Sequence, residues 1–206
     1  MAYLGTQPND VKKNTGLYTP SEILQLTKDG SWGGSLELIE EQTVSSVSAV
    51  DFTSIKENKY DVHLLTVNDY NNASDDFPAG IRFSNDNGSS YESGSSAYQV
   101  ANQSGRAGGT FITFNGTSFD IIELGRAIGN ATNEKFNCYV YLYNLGNSSK
   151  YSFTSFQSSF FQSAGDYNMT FGGAVYPTAE TINAIRLTTS SGNINCTAKL
   201  YGVKQI

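Results

Sequence analysis

The sequence predicts a mainly β protein: an antiparallel β-sandwich or jelly roll of about ten strands, preceded by an extended arm and one short helix. Three observations predict it. Ser, Thr, Asn and Gly supply 82 of the 206 residues, beside 13 Tyr and 12 Phe, a mixture suited to pleated strands and tight turns. From Leu36 onward the side-chain period moves from 3.6 towards 2. Turn signals punctuate that stretch at Asn87-Gly88, Asn115-Gly116, Gly129-Asn130, Gly146-Asn147 and Ser191-Gly192-Asn193. A closed, ligand-holding barrel would call for more uniform hairpins than these.

Met1 to Gly16 has little periodicity and reads as an extended arm. The helix signal follows at once. Thr19 supplies a capping hydroxyl, Pro20 the first helical position and Glu22 the third, ahead of Ile23, Leu24 and Leu26, with Gly30 as the stop. About three turns of helix are not stable alone, so this element has to dock on something. Trp32, the only tryptophan, comes next, and Gly33-Gly34 leads into the first strand. The chain therefore divides into an attachment segment, residues 1–34, and a β-domain, residues 35–206.

Within the β-domain, Leu36 to Val50 is extended. Further strands are expected at Lys59–Val67, Gly80–Ser84, Ala97–Ala101, Thr110–Asn115, Phe119–Leu124, Asn137–Asn144, Tyr151–Phe161, Ala184–Thr189 and Ile194–Val203. Gly105-Arg106-Ala107-Gly108-Gly109 reads as a hairpin tip and not as a phosphate loop. Aromatic residues crowd the segment from Phe136 to Phe171. Their structural role is sheet core and cross-strand pairing; the functional alternative is a platform that stacks on sugar rings. Tyr139, Tyr141 and Tyr143 alternate with Val140 and Leu142. If the aliphatic pair points inward, the tyrosine row faces solvent, a glycan or a neighbouring subunit.

Composition excludes several chemistries. A net charge of −6 leaves no broad basic surface for nucleic acid, and no run of 18 apolar residues would cross a membrane. The first ten residues lack the pattern of a secretory signal. His63, Cys138 and Cys196 have no metal-ligand spacing. His63 lies within a strand pattern and has no nucleophile elbow to serve, so a side chain facing solvent or hydrogen-bonded in the sheet is expected. Cys138 and Cys196 are expected to be buried free thiols. Adjacent carboxylates at Glu40-Glu41 and Asp75-Asp76 would point to opposite faces, so neither doublet makes a catalytic pair. One cation candidate stays open: Asn68, Asp69, Asn71, Asn72, Asp75 and Asp76 crowd one loop with the oxygen donors that calcium prefers, although their spacing matches no EF-hand. Eight Asn-x-Ser/Thr triplets are a consequence of the composition. No catalytic residue, cofactor or metal is expected.

Several segments carry a resemblance. Ile81 to Tyr91 (IRFSNDNGSSY), Ala184-Ile185-Arg186-Leu187 with Ser190-Ser191-Gly192-Asn193, and Lys199-Leu200-Tyr201-Gly202-Val203 resemble a β-rich domain common in tailed-bacteriophage structural proteins. Members of that group often read LRFS-dGGssY and finish on LYGI. Met1 to Gly5 with Pro8 is similar to the virion-anchoring arms of marine, cyanophage-like tail and fibre proteins, and Pro20 to Lys28 with Gly30 and Trp32 to a short helix near such arms. Asn87 and Cys196 depart from the pattern. The resemblance implies a non-enzymatic virion structural protein, assembled in the host bacterial cytoplasm. A tail fibre or spike-type appendage contributing to host adsorption is the first expectation. A capsid decoration or cement protein is the second, and a cellular carbohydrate-binding module or glycan hydrolase the third. Tyr3, Leu4, Ile23, Leu24, Leu26 and Trp32 are the candidate attachment contacts; Tyr139, Tyr141 and Tyr143 are the candidate oligomer or glycan surface. The implied partners are other virion proteins, further copies of the chain (a trimer among the options) and a host-surface glycan.

Overall fold

The computed structural model describes residues 19–28 and 35–204. By contacts the chain divides into two units, Met1–Ser35 and Leu36–Ile206. In the first unit, helix α1 (Pro20–Lys28) begins where the capping signal places it. Thr19 N–H donates to Glu22 Oε2 at 2.6 Å, and Glu22 N–H donates to Thr19 Oγ1 at 3.3 Å, so two donors that the helix cannot satisfy are paired reciprocally. The Thr19 backbone N–H, then its hydroxyl, hold the Glu22 carboxyl below its ordinary pKa. Ile23 is half-buried and Leu24 exposed. Tyr3, Leu4, Trp32 and the side chain of Leu26 lie outside what the structure describes.

The second unit holds twelve described strands rather than about ten: β1 (Leu36–Val47), β2 (Ala49–Phe52), β3 (Val62–Asn72), β4 (Phe77–Ser84), β5 (Tyr98–Arg106), β6 (Phe111–Phe119), β7 (Ile122–Ile128), β8 (Phe136–Tyr143), β9 (Ser152–Phe161), β10 (Tyr167–Tyr176), β11 (Ala184–Thr188) and β12 (Ile194–Val203). They form two antiparallel sheets. The larger has eight strands in the order β1-β12-β3-β8-β9-β10-β5-β6, the smaller four in the order β2-β11-β4-β7. The extended stretch after Leu36 divides at Ser48, where the chain leaves the large sheet for the small one. Another crossing, at Asp120-Ile121, ends β6 and starts β7, inside what the sequence presents as one strand.

β10 is the strand that the sequence does not announce. Gly172-Gly173 sits in the middle of it. A Cβ at Gly172 would lie 2.5 Å from Asn102 Cα and one at Gly173 would lie 2.6 Å from the Thr154 carbonyl oxygen. Close backbone approach between β5, β10 and β9, not chain reversal, is what requires glycine there.

The core lies between the sheets. Phe52, Ile81, Phe83, Leu124 and Ile185 from the small sheet meet Leu65, Val140, Leu142, Phe156 and Leu200 from the large one, every one of them buried. Alternation along β8 and β12 is strict, with buried residues at every second position. Cys138 and Cys196 are buried and unbridged. They sit on β8 and β12, which flank β3 on opposite sides. Two strand spacings, about 9.5 Å, exceed the Cα separation that a disulfide can span. Burial pushes the Cys196 thiol up to about 11 and Cys138 higher still, so neither is a reactive thiolate at neutral pH.

Candidate functional site

The outer face of the eight-stranded sheet is built by the same alternation that builds the core. Val140 and Leu142 are fully buried, which puts Tyr139, Tyr141 and Tyr143 on the opposite face. Tyr139 is 44% exposed, and the other two are half-buried by each other. The Tyr139 and Tyr141 rings meet edge-on at 6.3 Å, and Tyr141 and Tyr143 stack at 6.4 Å. Cross-strand partners hold two of the hydroxyls: Tyr139 donates to Gln157 Oε1 at 2.7 Å, and the Tyr143 hydroxyl lies 3.0 Å from Ser155 Oγ.

The row is the centre of a wider patch. Register places Tyr201 of β12 beyond Leu64 of β3 on one side. On the other side lie Phe153 and Phe161 of β9 and Phe171 and Tyr167 of β10. Leu36 and Leu38 of β1 extend the patch to one sheet edge and Phe111 to the other. Leu36, Leu38, Phe111, Phe153, Phe161, Tyr167 and Phe171 are all exposed. Charge is sparse here, and Lys199 is paired with Glu41 at 3.2 Å. Shallow depressions interrupt the surface. One, of about 600 Å³, opens where Ala101 and Gly173 leave room beside Phe153 and Val175. Another, of about 520 Å³, is bordered by Thr66, Asn137, Tyr139, Gln157, Lys199 and Tyr201. The surface offers flat aromatic area and amide hydrogen-bond groups, without any acid–base pair.

The remaining sequence candidates fall elsewhere. His63 faces the interior, fully buried, with Nε2 2.8 Å from the Ile55 carbonyl oxygen, so Nε2 carries the proton and donates. Its ring meets Tyr60 edge-on at 5.9 Å. Among the described residues its hydrogen-bond partner is this backbone carbonyl and not a nucleophile. Burial lowers the His63 pKa from its usual 6.5, against the smaller opposing effects of that hydrogen bond and of Glu57. The unfolded chain therefore takes up a proton near pH 6.5 that the folded one refuses, and stability falls as pH drops from 7 towards 5. Carboxylates cannot mimic this. Glu37, held by the Lys59 ammonium, and Asp86, held by Ser90 and Ser84, are lowered to about 2, so their stabilisation is lost only below their ordinary values near 4. Urea midpoints at pH 7 and 5 are expected to differ, and His63→Leu is expected to flatten that difference; an equal slope in the variant would contradict it.

Part of the oxygen-rich loop is strand, since β3 runs on to Asn72. Its amides are committed within the fold: Asn72 donates to Thr189 Oγ1 and to the Ser191 carbonyl, and Asn71 donates to the Ala131 and Glu134 carbonyls. No group of three His, Cys, Asp or Glu side chains is placed to hold a metal among the described residues. Of the carboxylates, Asp120 pairs with Arg82. Asp51 holds Arg186 through two hydrogen bonds of 2.7 Å, with the guanidinium over the Tyr91 ring. Asp76 and Glu123, far apart in sequence, come to one cleft between the sheets.

No protein-family model matches the chain, and no curated protein matches it. Among solved structures, the chain is similar to the marine PL-14 alginate lyase from Aplysia kurodai, at 10% identity over 72% of this chain and 71% of that one, with a TM-score of 0.30. It is also similar to alginate lyase vAL-1 from Chlorella virus, at 7% identity over 84% of this chain and 96% of that one, with a TM-score of 0.17. Likenesses this distant carry no argument about activity.

Proposed function

We propose that this chain is a non-enzymatic structural component of a tailed-bacteriophage particle, a tail fibre or spike-type appendage. Residues 1–34 attach it to other virion proteins, and the β-sandwich is presented for host adsorption as a homo-oligomer. The observation that carries this reading is the outer face of the large sheet. Eight exposed aromatic or leucine side chains on one face, Tyr139 among them, exceed what a monomer leaves to water without use. A second copy packed on the tyrosine row would cover them, as the apolar core of a subunit interface does. The division of the chain by contacts into Met1–Ser35 and Leu36–Ile206 supports the division of labour, with one unit to anchor and one to display.

Deleting residues 1–34 tests the attachment half. The truncated protein is expected to keep the melting temperature of the full chain and to be missing from particles assembled with it. Truncated protein recovered in purified particles at the wild-type amount would overturn the assignment.

A further inference from the structure

The two sheets are unequal, and the large one overhangs the small. Inward-facing residues of β5 and β10 are apolar where the small sheet covers them: Tyr98 and Val100, Ala174 and Tyr176. Farther along the same faces they turn polar. Register sets Arg106 opposite Asn168, and Ser104 opposite Thr170. A cleft of about 380 Å³ opens there, closed on its other side by Glu123, Arg126 and Ala127 of β7 and by Asp76 and Pro78. That volume is within the range of small-molecule sites.

Polar groups in the cleft are incompletely paired. Asn168 is 2% exposed; its amide donates to Gln162 Oε1 at 3.1 Å, but its Oδ1 accepts nothing. Arg106 Nε is buried and donates to nothing. Glu123 Oε2 likewise accepts no hydrogen bond, although it lies beside Arg126. Buried polar atoms in native proteins are nearly always partnered, so two orphan acceptors and one orphan donor in a single cleft point to a missing partner. Formal charges cancel. Two guanidiniums, Arg106 and Arg126, face two carboxylates, Asp76 and Glu123. Of these, Glu123 already holds Arg126 at 2.8 Å, and Asp76 accepts from Ser163 Oγ at 3.0 Å. A strongly charged ligand would leave one of those pairs uncompensated.

A hydroxyl both donates and accepts, so it satisfies an orphan acceptor and an orphan donor together. Pro78, Ile112 and Ala127 add an apolar wall. Polar edges against an apolar face match the two sides of a sugar ring, and the space far exceeds that of a single water. We infer that this cleft binds one neutral sugar unit, with Asn168 Oδ1 accepting from a ring hydroxyl and Arg106 Nε–H donating to one. The site is separate from the tyrosine row and does not depend on the virion assignment.

The test is a titration of the 15N-labelled full chain with glucose, galactose, mannose and N-acetylglucosamine in turn, followed by NMR. At least one sugar is expected to give saturable shifts at the Asn168 and Gln162 side-chain amides and at Arg106 Nε–H. Asn168→Leu and Arg106→Lys are expected to weaken that affinity at least tenfold. Ile112→Glu, an exposed change on the β5–β6 hairpin, is expected to weaken it with the melting temperature held, so that a loss of binding is not a loss of fold. Absence of saturation with all four sugars would overturn the proposal, as would shifts confined to Tyr139, Tyr141 and Gln157. Tighter binding of galacturonate than of galactose would overturn its neutrality.

Discussion

Replacing Phe83 with alanine is expected to remove about 3–5 kcal/mol of folding stability, the range for deleting a fully buried phenylalanine. Phe83 has no exposed surface. Its ring meets Tyr98 at 5.9 Å and Tyr176 at 6.3 Å, both edge-on, so the space left behind would be walled by two large rings with hydroxyls already committed. Tyr98 accepts from the Phe83 backbone N–H at 2.8 Å and donates to the Glu92 carbonyl at 3.1 Å, which stops it from swinging in to fill the gap. Domains of this kind have a total stability of about 5–15 kcal/mol, so the loss should be plain in a urea titration as a lower midpoint at unchanged slope. A loss below about 1 kcal/mol would mean that Phe83 is not at the centre of the inter-sheet core.

The second large effect is expected at Gly172. Valine there would drive its Cβ into the Ala101 carbonyl oxygen and the Asn102 Cα, which are backbone atoms of the neighbouring strand. A side chain can rotate out of the way, but a paired strand can move only by giving up its ladder. The expected cost is about 3 kcal/mol or more, at the upper end for overpacking. It should also be local. Amide exchange should quicken in β5, β6 and β10, at that end of the large sheet, while β3 and β12 remain protected. Uniform acceleration across the domain, or none, would contradict the close approach on which this explanation of the glycine pair rests.

What was legible in the sequence was mostly local. The Thr19-Pro20-Ser21-Glu22 cap depends on four consecutive residues and is found in place. The alternation of Val140 and Leu142 with the tyrosines depends on the pleat alone, and the aliphatic pair is inside. The tip after Arg106 is a turn, with Gly109 at φ 93° and its N–H donating to the Arg106 carbonyl. Where a signal has two meanings, it misleads. Asn115-Gly116 reads as a turn, yet both residues lie inside β6, paired with Ala101 and Val100 of β5, and only that pairing decides between the two. Likewise, nothing near Ser48 or Asp120 tells that the chain changes sheet there, because that depends on partners far along the chain.

The polar cleft was hidden for a related reason. Asn102, Ser104 and Arg106 follow the apolar half of β5 and read as the polar approach to a hairpin, while Asn168 and Thr170 lie in the strand that the sequence does not announce. Only the pairing of β5 with β10 shows that these residues share an inward face. Glu123 and Asp76 were visible as carboxylates but not as neighbours, since strand adjacency, and not spacing, brings them together. By its sequence pattern His63 is a strand residue facing solvent or bonded in the sheet. It faces inward and is bonded to the loop carbonyl of Ile55.

The proposal that this chain is a particle component is tested most directly by immunogold labelling of purified particles with antibody against residues 35–206. The account predicts label concentrated at the tail. Label spread over the head would contradict the appendage assignment, and intact particles without label would contradict the virion reading itself.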